Sequence, residues 1–125
     1  MKKLCVLLLL TVSLFASAKE YTFSPGDVQA MKQLLGSGNL QPGDAVVLKD
    51  GTYHNLEEIH FTGKGVSGKP IVWRAENPGK AVISGKLRLK IYGEYLQLED
   101  LLFYKAWAIA VSYTHLRAHE TLMNL

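Results

Sequence analysis

Short apolar runs recur along this chain at nearly constant spacing. One set begins at Ala45, Ile71 and Tyr95, so successive starts are 71 − 45 = 26 and 95 − 71 = 24 residues apart. A second set is interleaved with the first: Glu58–Phe61, Ala81–Ser84 and Leu101–Phe103. Strand-length segments that repeat every ~20–50 residues, with no helical pattern between them, are typical of solenoids whose coils bury apolar faces against their neighbours. The chain is therefore predicted to be all-β, forming the first coils of a single-stranded parallel β-helix.

The amino terminus has the three parts of a secretory signal peptide. Two lysines precede a mostly apolar stretch over residues 4–15, and Ala16-Ser17-Ala18 has the small-residue pattern of a cleavage site. The apolar stretch is shorter than the ~20 residues that a membrane-spanning helix needs. A lipoprotein signal requires a cysteine at the cleavage point, whereas Cys5 lies within the apolar stretch. Residues 1–18 are therefore predicted to be a signal peptide, removed without leaving a membrane attachment.

Removal of the signal peptide also limits the cysteine chemistry that the mature chain can use. The short lysine-containing start is typical of bacteria, so we expect a periplasmic or secreted protein. Cys5 is the one cysteine of the chain, and its removal leaves none. The mature chain is therefore expected to use neither a disulfide framework nor a thiol nucleophile.

The run Val111–Thr121 resembles the translation of a sequencing adapter. The transposase-end adapter used in library preparation encodes these residues in one reading frame. Residues 111–125 are therefore predicted to be an artefact, with the natural chain interrupted near residue 110. This prediction removes a tempting metal motif, because His115 and His119 stand four residues apart beside Glu120.

The remaining segment, residues 19–110, is nearly neutral. It contains eleven Lys or Arg and ten Asp or Glu, a net charge of 11 − 10 = +1, although the pI of the whole chain is about 9.0. This balance gives no reason to expect a nucleic-acid partner. An open-ended stack exposes its last coil, so we expect a fragment ending here to be unstable or to aggregate unless more chain follows.

The first predicted element is a short amphipathic helix. Ser24 suits the N-cap, Pro25 the first helical position, and Asp27 the reciprocal capping hydrogen bond. Gly36 is predicted to end the helix. Its apolar stripe is Val28, Met31, Leu34 and Leu35. A helix before a strand solenoid is typical of a cap over the first coil; the alternative is a stripe that binds a partner or a membrane.

The glycine-rich segment Thr62–Pro70 invites a phosphate-binding interpretation. A Walker motif requires Lys-Ser or Lys-Thr followed by a helix. Here Gly68 and Lys69 are followed by Pro70 and a predicted strand. The segment is therefore predicted to be a solenoid loop.

Basic and apolar residues alternate between Lys86 and Ile91, the pattern of a half-exposed strand. The inward residues are predicted to be Leu87, Leu89 and Ile91, and the outward ones Lys86, Arg88 and Lys90. We interpret the basic stripe as a solvated strand face, because Glu94, Glu99 and Asp100 are close in sequence. Contact with an acidic polymer is the alternative.

Four other side chains are candidates for sugar stacking or metal binding. Trp73 alternates in phase with Ile71 and is predicted to lie in the core, whereas Trp107 lies at the predicted interruption and is not assigned. His54 and His60 are six residues apart without a third ligand or a nucleophile arranged around them. They are predicted to be ordinary surface or loop histidines.

Four motifs follow one another between Asp44 and Phe103. They are Leu48-Lys-Asp-Gly-Thr-Tyr53, Gly68-Lys-Pro-Ile-Val72, Arg74-Ala-Glu-Asn-Pro-Gly79 and Leu89-Lys-Ile-Tyr-Gly-Glu-Tyr-Leu96. In this order they resemble the amino-terminal region of the chondroitinase B and alginate lyase family of polysaccharide lyases. Corners like Asp-Gly-Thr-Tyr occur in other β-helix proteins, so the ordered set carries the resemblance.

The resemblance implies a right-handed parallel β-helix that cleaves an acidic, uronate-containing polysaccharide by β-elimination. In that family a bound calcium ion neutralises the substrate carboxylate, a lysine removes the C5 proton, and an arginine assists at the leaving oxygen. These groups lie on coils downstream of the part present here. No catalytic, cofactor-binding or metal-binding residue is therefore assigned in this chain, and no calcium is expected to bind to it.

The leading hypothesis is the amino-terminal fragment of an exported alginate or chondroitin-type lyase, inactive by itself. The alternative is a non-catalytic, polysaccharide-binding or adhesin-like β-helix. A small β-sandwich module fits poorly, because corners separate the strands where hairpin turns would be needed. The sequence leaves open the polymer, endo or exo action, and the oligomeric state.

Overall fold

The structure is a computed structural model that describes residues 18–54, 56–104, 108–119 and 122–124, the last two ranges by backbone only. The chain begins with strand β1 (Glu20–Phe23), a 3-10 turn (Pro25–Asp27) and helix α1 (Val28–Gly36). The further strands described are β2 (Ala45–Leu48), β3 (Gly51–His54), β4 (Glu57–Lys64), β5 (Ile71–Ala75), β6 (Ala81–Ser84), β7 (Leu87–Glu99), β8 (Leu102–Tyr104), β9 (Ala108–His119) and β10 (Leu122–Asn124). Residues 1–17 of the predicted signal peptide (residues 1–18) lie outside the described residues, as does Trp107.

The strands coil into a stack with three faces. The first face contains β1, β2, β5 and the second half of β7, and the second contains β3, β6, β8 and β10. The third contains β4 and the first half of β7, while β9 continues both halves of β7. Each pairing between these strands is parallel, so every coil adds one strand to each face. The predicted parallel β-helix is confirmed.

Strand β7 runs continuously around one corner of the coil. Its first half pairs with β4, and its second half, from Leu96, pairs with β5. Gly93 has a φ of 138° and Tyr95 a φ of 50° at the corner, so the chain changes direction while the strand continues. The sequence predicts two separate strands here, and the structure corrects this prediction.

Equivalent positions of successive coils align inside the stack. The ladder on the first face is Val46, Trp73 and Leu98, and the ladder on the second is Tyr53, Ile83 and Phe103. Trp73 is fully buried, as predicted, and its ring lies edge-on to Phe61 and Phe103 at centroid distances of 6.0 and 6.4 Å. Apolar burial along these ladders is the main stabilising contribution that one coil receives from the next.

The predicted grouping of strands needs two corrections. Glu58–Phe61 lies in β4 on the third face, whereas the other two segments of its set form β6 and β8 on the second face. The strand that precedes β6 and β8 on the second face is β3. Its apolar pattern in the sequence is weak, because Tyr53 is its one buried side chain. The sequence does not predict strand β1, because four residues with two half-buried aromatic side chains are too short a pattern to identify a strand.

Helix α1 covers the first coil and packs against β4. Met31 and Leu35 are fully buried, while Val28 and Leu34 pack partly buried against the same core. All four members of the predicted stripe therefore face the solenoid. This arrangement confirms the capping interpretation.

The ends of the helix differ slightly from the prediction. The Asp27 carboxylate accepts hydrogen bonds from the backbone nitrogen and the hydroxyl of Ser24, at 3.2 and 2.8 Å, as the capping pattern predicts. These hydrogen bonds lower the pKa of Asp27. Pro25–Asp27 forms a 3-10 turn instead of α-helix, and Gly36 is still helical. Gly38, with a φ of 74°, turns the chain after the helix.

Candidate functional site

Charged and aromatic side chains concentrate on the outside of the third face. Strands β4 and β7 pair in register from Glu57 with Leu87 to Lys64 with Glu94. Because side chains alternate along a strand, every second residue points away from the core. We call the resulting outer side the β4–β7 surface; it consists of Glu58, His60, Thr62 and Lys64 on β4, and Arg88, Lys90, Tyr92 and Glu94 on β7.

Glu58 is the centre of the polar contacts on the β4–β7 surface. Its Oε1 atom lies 3.1 Å from Lys90 Nζ and 2.8 Å from His60 Nε2. The hydrogen bond from Lys90, followed by that from His60, lowers the pKa of Glu58 below its usual value. The carboxylate therefore stays ionised into more acidic solution and holds two neighbouring side chains in place.

An aromatic stack lies beside this carboxylate. The His60 and Tyr92 rings are stacked at a centroid distance of 6.1 Å and an interplanar angle of 18°. The Tyr92 side chain is among the most exposed large apolar groups of the described residues, at 41%. The stack thus presents a flat aromatic ring to solvent next to the Lys90 ammonium.

The charge of the β4–β7 surface is only weakly positive. Three cations, Lys64, Arg88 and Lys90, face two carboxylates, Glu58 and Glu94, for 3 − 2 = +1 with His60 neutral. Carboxylates do offset part of the positive charge of the basic stripe, as predicted. The carboxylate that pairs with Lys90, however, belongs to the preceding coil. The prediction named acidic residues that are nearer in sequence, and sequence distance is a poor guide to neighbours across parallel strands. The surface can contact an acidic polymer, although Lys90 and His60 are already engaged by Glu58.

The other predicted residues do not join this surface. His54 is exposed on β3, in register with Ser84 on the second face, and so lies on a different face from His60. Thr62, Gly63 and Lys64 are the end of β4, which shortens the predicted loop. The rest of that loop turns through an isolated bridge between Val66 and Lys69 and leads into β5, not into a helix.

The outside of the first face carries a second set of polar contacts. Arg74 Nη2 lies 3.0 Å from Glu20 Oε1, so this ion pair joins β5 to β1 across the outer side of β2. One coil further, the side-chain nitrogen of Gln97 donates to the Glu99 carboxylate. The Arg74–Glu20 pair ties strands together, whereas the contact between Gln97 and Glu99 lies within β7. Arg74 also donates to the carbonyl oxygen of Ala75.

Two polar side chains inside the coil were not found from the sequence. Asp44 is 3% exposed and Tyr53 is 1% exposed. The Pro-Gly-Asp and Asp-Gly-Thr-Tyr patterns mark corners, but neither pattern reveals that a polar group is buried there. Both side chains also contact the segment that contains Lys19 and β1, which is not predicted from the sequence.

Metal ligands do not converge in the described part of the chain. No group of three His, Cys, Asp or Glu side chains there is placed to hold a metal ion. His115 and His119 belong to β9, whose side chains are outside the description. Within the described residues, no helix is long and apolar enough to cross a membrane.

Comparison with known proteins identifies the family. A family model for chondroitinase B matches residues 28–123, more than half of the chain. The chain belongs to the chondroitinase B family. The resemblance carried by the four sequence motifs is therefore confirmed. No curated protein matches the chain.

Solved structures agree with this membership of the chondroitinase B family. The chain is 77% identical to a mannuronic acid-specific polysaccharide family 6 lyase from the human gut microbiota, with a TM-score of 0.81 over 84% of this chain. It is 26% identical, with a TM-score of 0.66 over 82% of the chain, to the PL6 family alginate lyase AlyGC. A PL6 family polysaccharide lyase from Pseudopedobacter saltans, at 24% identity and a TM-score of 0.69 over 81% of the chain, shares the fold.

The chain is much shorter than these relatives. It spans 26% of the gut-microbiota enzyme, 15% of AlyGC and 24% of the Pseudopedobacter saltans enzyme. The chain therefore corresponds to about a quarter or less of the length of each of these relatives.

Proposed function

We propose that the complete protein is an exported lyase that cleaves mannuronate-containing alginate by β-elimination. The observation that carries this proposal is the 77% identity to a mannuronic acid-specific lyase. Identity at this level over most of the chain supports the same substrate class more strongly than fold alone does. Dermatan or chondroitin sulfate, the other polymers implied by the family resemblance, become the less favoured substrates.

The fold supports a proposal for the role of the present chain within that protein. Helix α1 and the first coils close one end of the solenoid and protect its apolar interior. We propose that this segment contributes stability and that the elimination chemistry belongs to later coils. The 125 residues alone are accordingly expected to be inactive.

Calcium is proposed as a cofactor of the complete protein, not of this segment. The described side chains do not fit a calcium site, since no three carboxylates or other metal-binding side chains converge among them. Any such site then requires oxygen ligands from later coils. No step of the reaction is assigned to the residues described here.

Sequencing the source gene through codon 110 with reads that span it tests the proposal. We expect the frame to continue for several hundred residues and to encode a lysine, an arginine and a cluster of acidic and amide residues on later coils. The purified complete protein should then release unsaturated uronate, detected by its ultraviolet absorbance, from polymannuronate faster than from polyguluronate or dermatan sulfate.

Two results would contradict the proposal. If the extended frame lacks the lysine, the arginine and the acidic cluster, and the protein binds alginate without cleaving it, the non-catalytic β-helix is the correct function. If Val111–Thr121 is encoded in the genome, the predicted interruption is wrong, and if a stop codon then follows Leu125, the protein is a small cap-and-coil protein and not a lyase.

A further inference from the structure

Asp44 is the one charged side chain among the buried residues of the described chain. Its Oδ1 atom accepts a hydrogen bond from the backbone nitrogen of Lys19 at 3.0 Å, and its Oδ2 atom accepts one from the backbone nitrogen of Gln41 at 2.9 Å. None of the ion pairs found among the described residues includes Asp44. A carboxylate that is buried with amide donors alone lacks the cation that normally accompanies such a group.

The Lys19 backbone nitrogen, which donates to Asp44, lies at the predicted cleavage point of the signal peptide. Lys19 directly follows Ala16-Ser17-Ala18, the predicted signal-peptide cleavage site. Hydrolysis of the bond between Ala18 and Lys19 consumes one water molecule. The hydroxyl group goes to the Ala18 carbonyl carbon and one proton to the Lys19 nitrogen, which takes a second proton from solvent and becomes an ammonium group.

We propose that Asp44 is a receptor for the α-amino group created at Lys19 by export processing. Removal of the signal peptide then replaces an amide hydrogen bond by a buried ion pair and fastens β1 to the first coil. The predicted cleavage site thereby acquires a structural function, since the chain becomes more stable once it has been cut. The proposal depends on export and does not depend on the lyase activity.

The surrounding backbone holds the Lys19 nitrogen in place for this contact. The Lys19 carbonyl oxygen accepts a hydrogen bond from the Ala45 nitrogen at 2.9 Å, and the next residue, Glu20, pairs in register with Ala45. The ladder between β1 and β2 thus fixes the nitrogen independently of Asp44. A fixed ammonium group loses little conformational entropy when it forms the ion pair, and it offers three donors where the amide offered one.

The uncut chain is compatible with the same arrangement. Gly43 lies beside Ala18, and a Cβ atom added to Gly43 would come within 3.3 Å of the Ala18 Cβ. The absence of a side chain at position 43 therefore leaves room for the residue that precedes the cut. Cleavage is expected to change stability at this site and not the path of the chain.

The first experiment determines the amino terminus of the chain after export from a bacterial host. Amino-terminal sequencing and intact mass should identify Lys19 as the first residue. Cleavage at any other bond would overturn the proposal, because only this cut places an ammonium group at the atom that Asp44 binds.

The second experiment compares two forms of the complete exported protein, one beginning at Lys19 and the other retaining Ala18 in front. Each form is made with Asp44 and with Asp44→Asn. With Asp44 present, the Lys19 form should melt about 2–4 °C higher, the shift expected for a modest stabilisation of a larger domain. In the Asp44→Asn pair the difference should vanish. Glu57→Gln, which neutralises an exposed carboxylate, should leave the difference unchanged.

Acetylation of the Lys19 α-amino group provides a test that leaves Asp44 intact. The acetylated protein should have the same melting temperature as the Ala18 form, because acetylation removes the positive charge of the Lys19 α-amino group. The unmodified α-amino group should also react several-fold more slowly with an amine-specific reagent than in the unfolded chain. Equal melting temperatures for the Lys19, Ala18 and acetylated forms, or a difference that persists in Asp44→Asn, would refute the ion pair.

Discussion

Tyr53 places a hydroxyl group inside the first coil, where the hydroxyl needs polar partners. Its oxygen lies 2.8 Å from the Lys49 carbonyl oxygen and 3.2 Å from that of Phe23, both of which accept hydrogen bonds. Burial, reinforced by the nearby Asp27 carboxylate, raises the pKa of Tyr53 to about 12. The side chain thus joins β1 to the corner before β3 while its ring fills the core.

The Tyr53→Phe variant should be less stable by about 1–2 kcal/mol at neutral pH, because the Lys49 carbonyl oxygen loses its donor, whereas the Phe23 carbonyl oxygen still accepts from the Lys49 nitrogen at 2.9 Å. The folded-state pKa is raised, so the tyrosine contribution is complete below pH ~10 and is lost as the pH rises towards ~12. Urea unfolding of both proteins at several pH values measures the difference. The gap between wild type and variant should narrow above pH ~10; a constant gap would show that Tyr53 ionises as freely in the folded state as in the unfolded one.

Gly93 is a position where two backbones meet. A Cβ atom there would collide with the Gly63 carbonyl oxygen, and the φ of Gly93 is 138°. Gly93→Ala should therefore combine the strain of positive φ, about 1–2 kcal/mol, with overpacking of about 1–3 kcal/mol. Gly68→Ala is the matched control, because Gly68 has a φ of 82° with open space around it. Equal losses in denaturant midpoint for the two variants would contradict the close approach.

The sequence identifies inward residues better than it identifies surface partners. Trp73 was correctly placed in the core, because alternation with Ile71 is a local pattern. The ion pair between Glu58 and Lys90 joins residues 90 − 58 = 32 positions apart, and it depends on the register of β4 against β7. That register is set by the length of a whole coil, which no local pattern encodes.

At the scale of the element, coil length limits what the sequence predicts. Ala45 pairs with Val72, and Ile71 with Leu96, so each coil is one residue longer than the spacing of the apolar runs. The continuity of strand β7 is also not predicted from the sequence, because it depends on the conformation of one glycine. Gly93 reads as a break between strands, whereas in the structure it allows one strand to bend around a corner.

Helix α1 offers a direct test of capping. Leu35 is fully buried between the helix and the first coil, so Leu35→Ala should cost about 2–5 kcal/mol through lost burial and the remaining cavity. Gln33→Ala on the exposed side of the same helix should change stability by less than about 0.5 kcal/mol. Chemical denaturation of both variants measures these values. A small effect of Leu35→Ala would indicate that the stripe is available for a partner, the alternative that the sequence left open.

At the scale of the whole molecule, fold and family follow from the sequence, but an active site does not. The ordered motifs form the corners and strands of successive coils, which is why they identify the solenoid and its family together. Catalysis requires groups from several coils to converge on one substrate. In the described residues, the polar cluster centred on Glu58 consists of side chains that already bind one another.

A chimera tests this division between a stabilising end and a catalytic middle. Residues 19–104 would replace the corresponding segment of the mannuronic acid-specific lyase, with which the chain shares 77% identity. We expect the chimera to cleave polymannuronate with a kcat/KM within about threefold of the parent enzyme, because the exchanged segment is proposed to hold no catalytic group. A threefold change corresponds to ~0.7 kcal/mol of transition-state stabilisation. Introducing Leu35→Ala should lower the melting temperature of the chimera, while Gln33→Ala should not.

Two hypotheses about the amino-terminal coils, stabilisation alone or positioning of catalytic groups, make opposite predictions for the Leu35→Ala chimera. If the coils only stabilise the solenoid, kcat measured well below the melting temperature should stay at the value of the unsubstituted chimera. If they position catalytic groups, kcat should fall together with stability, even where circular dichroism shows a fully folded protein. A chimera that folds with the melting temperature of the parent but does not cleave polymannuronate would place part of the active site on the first coils and refute the division proposed here.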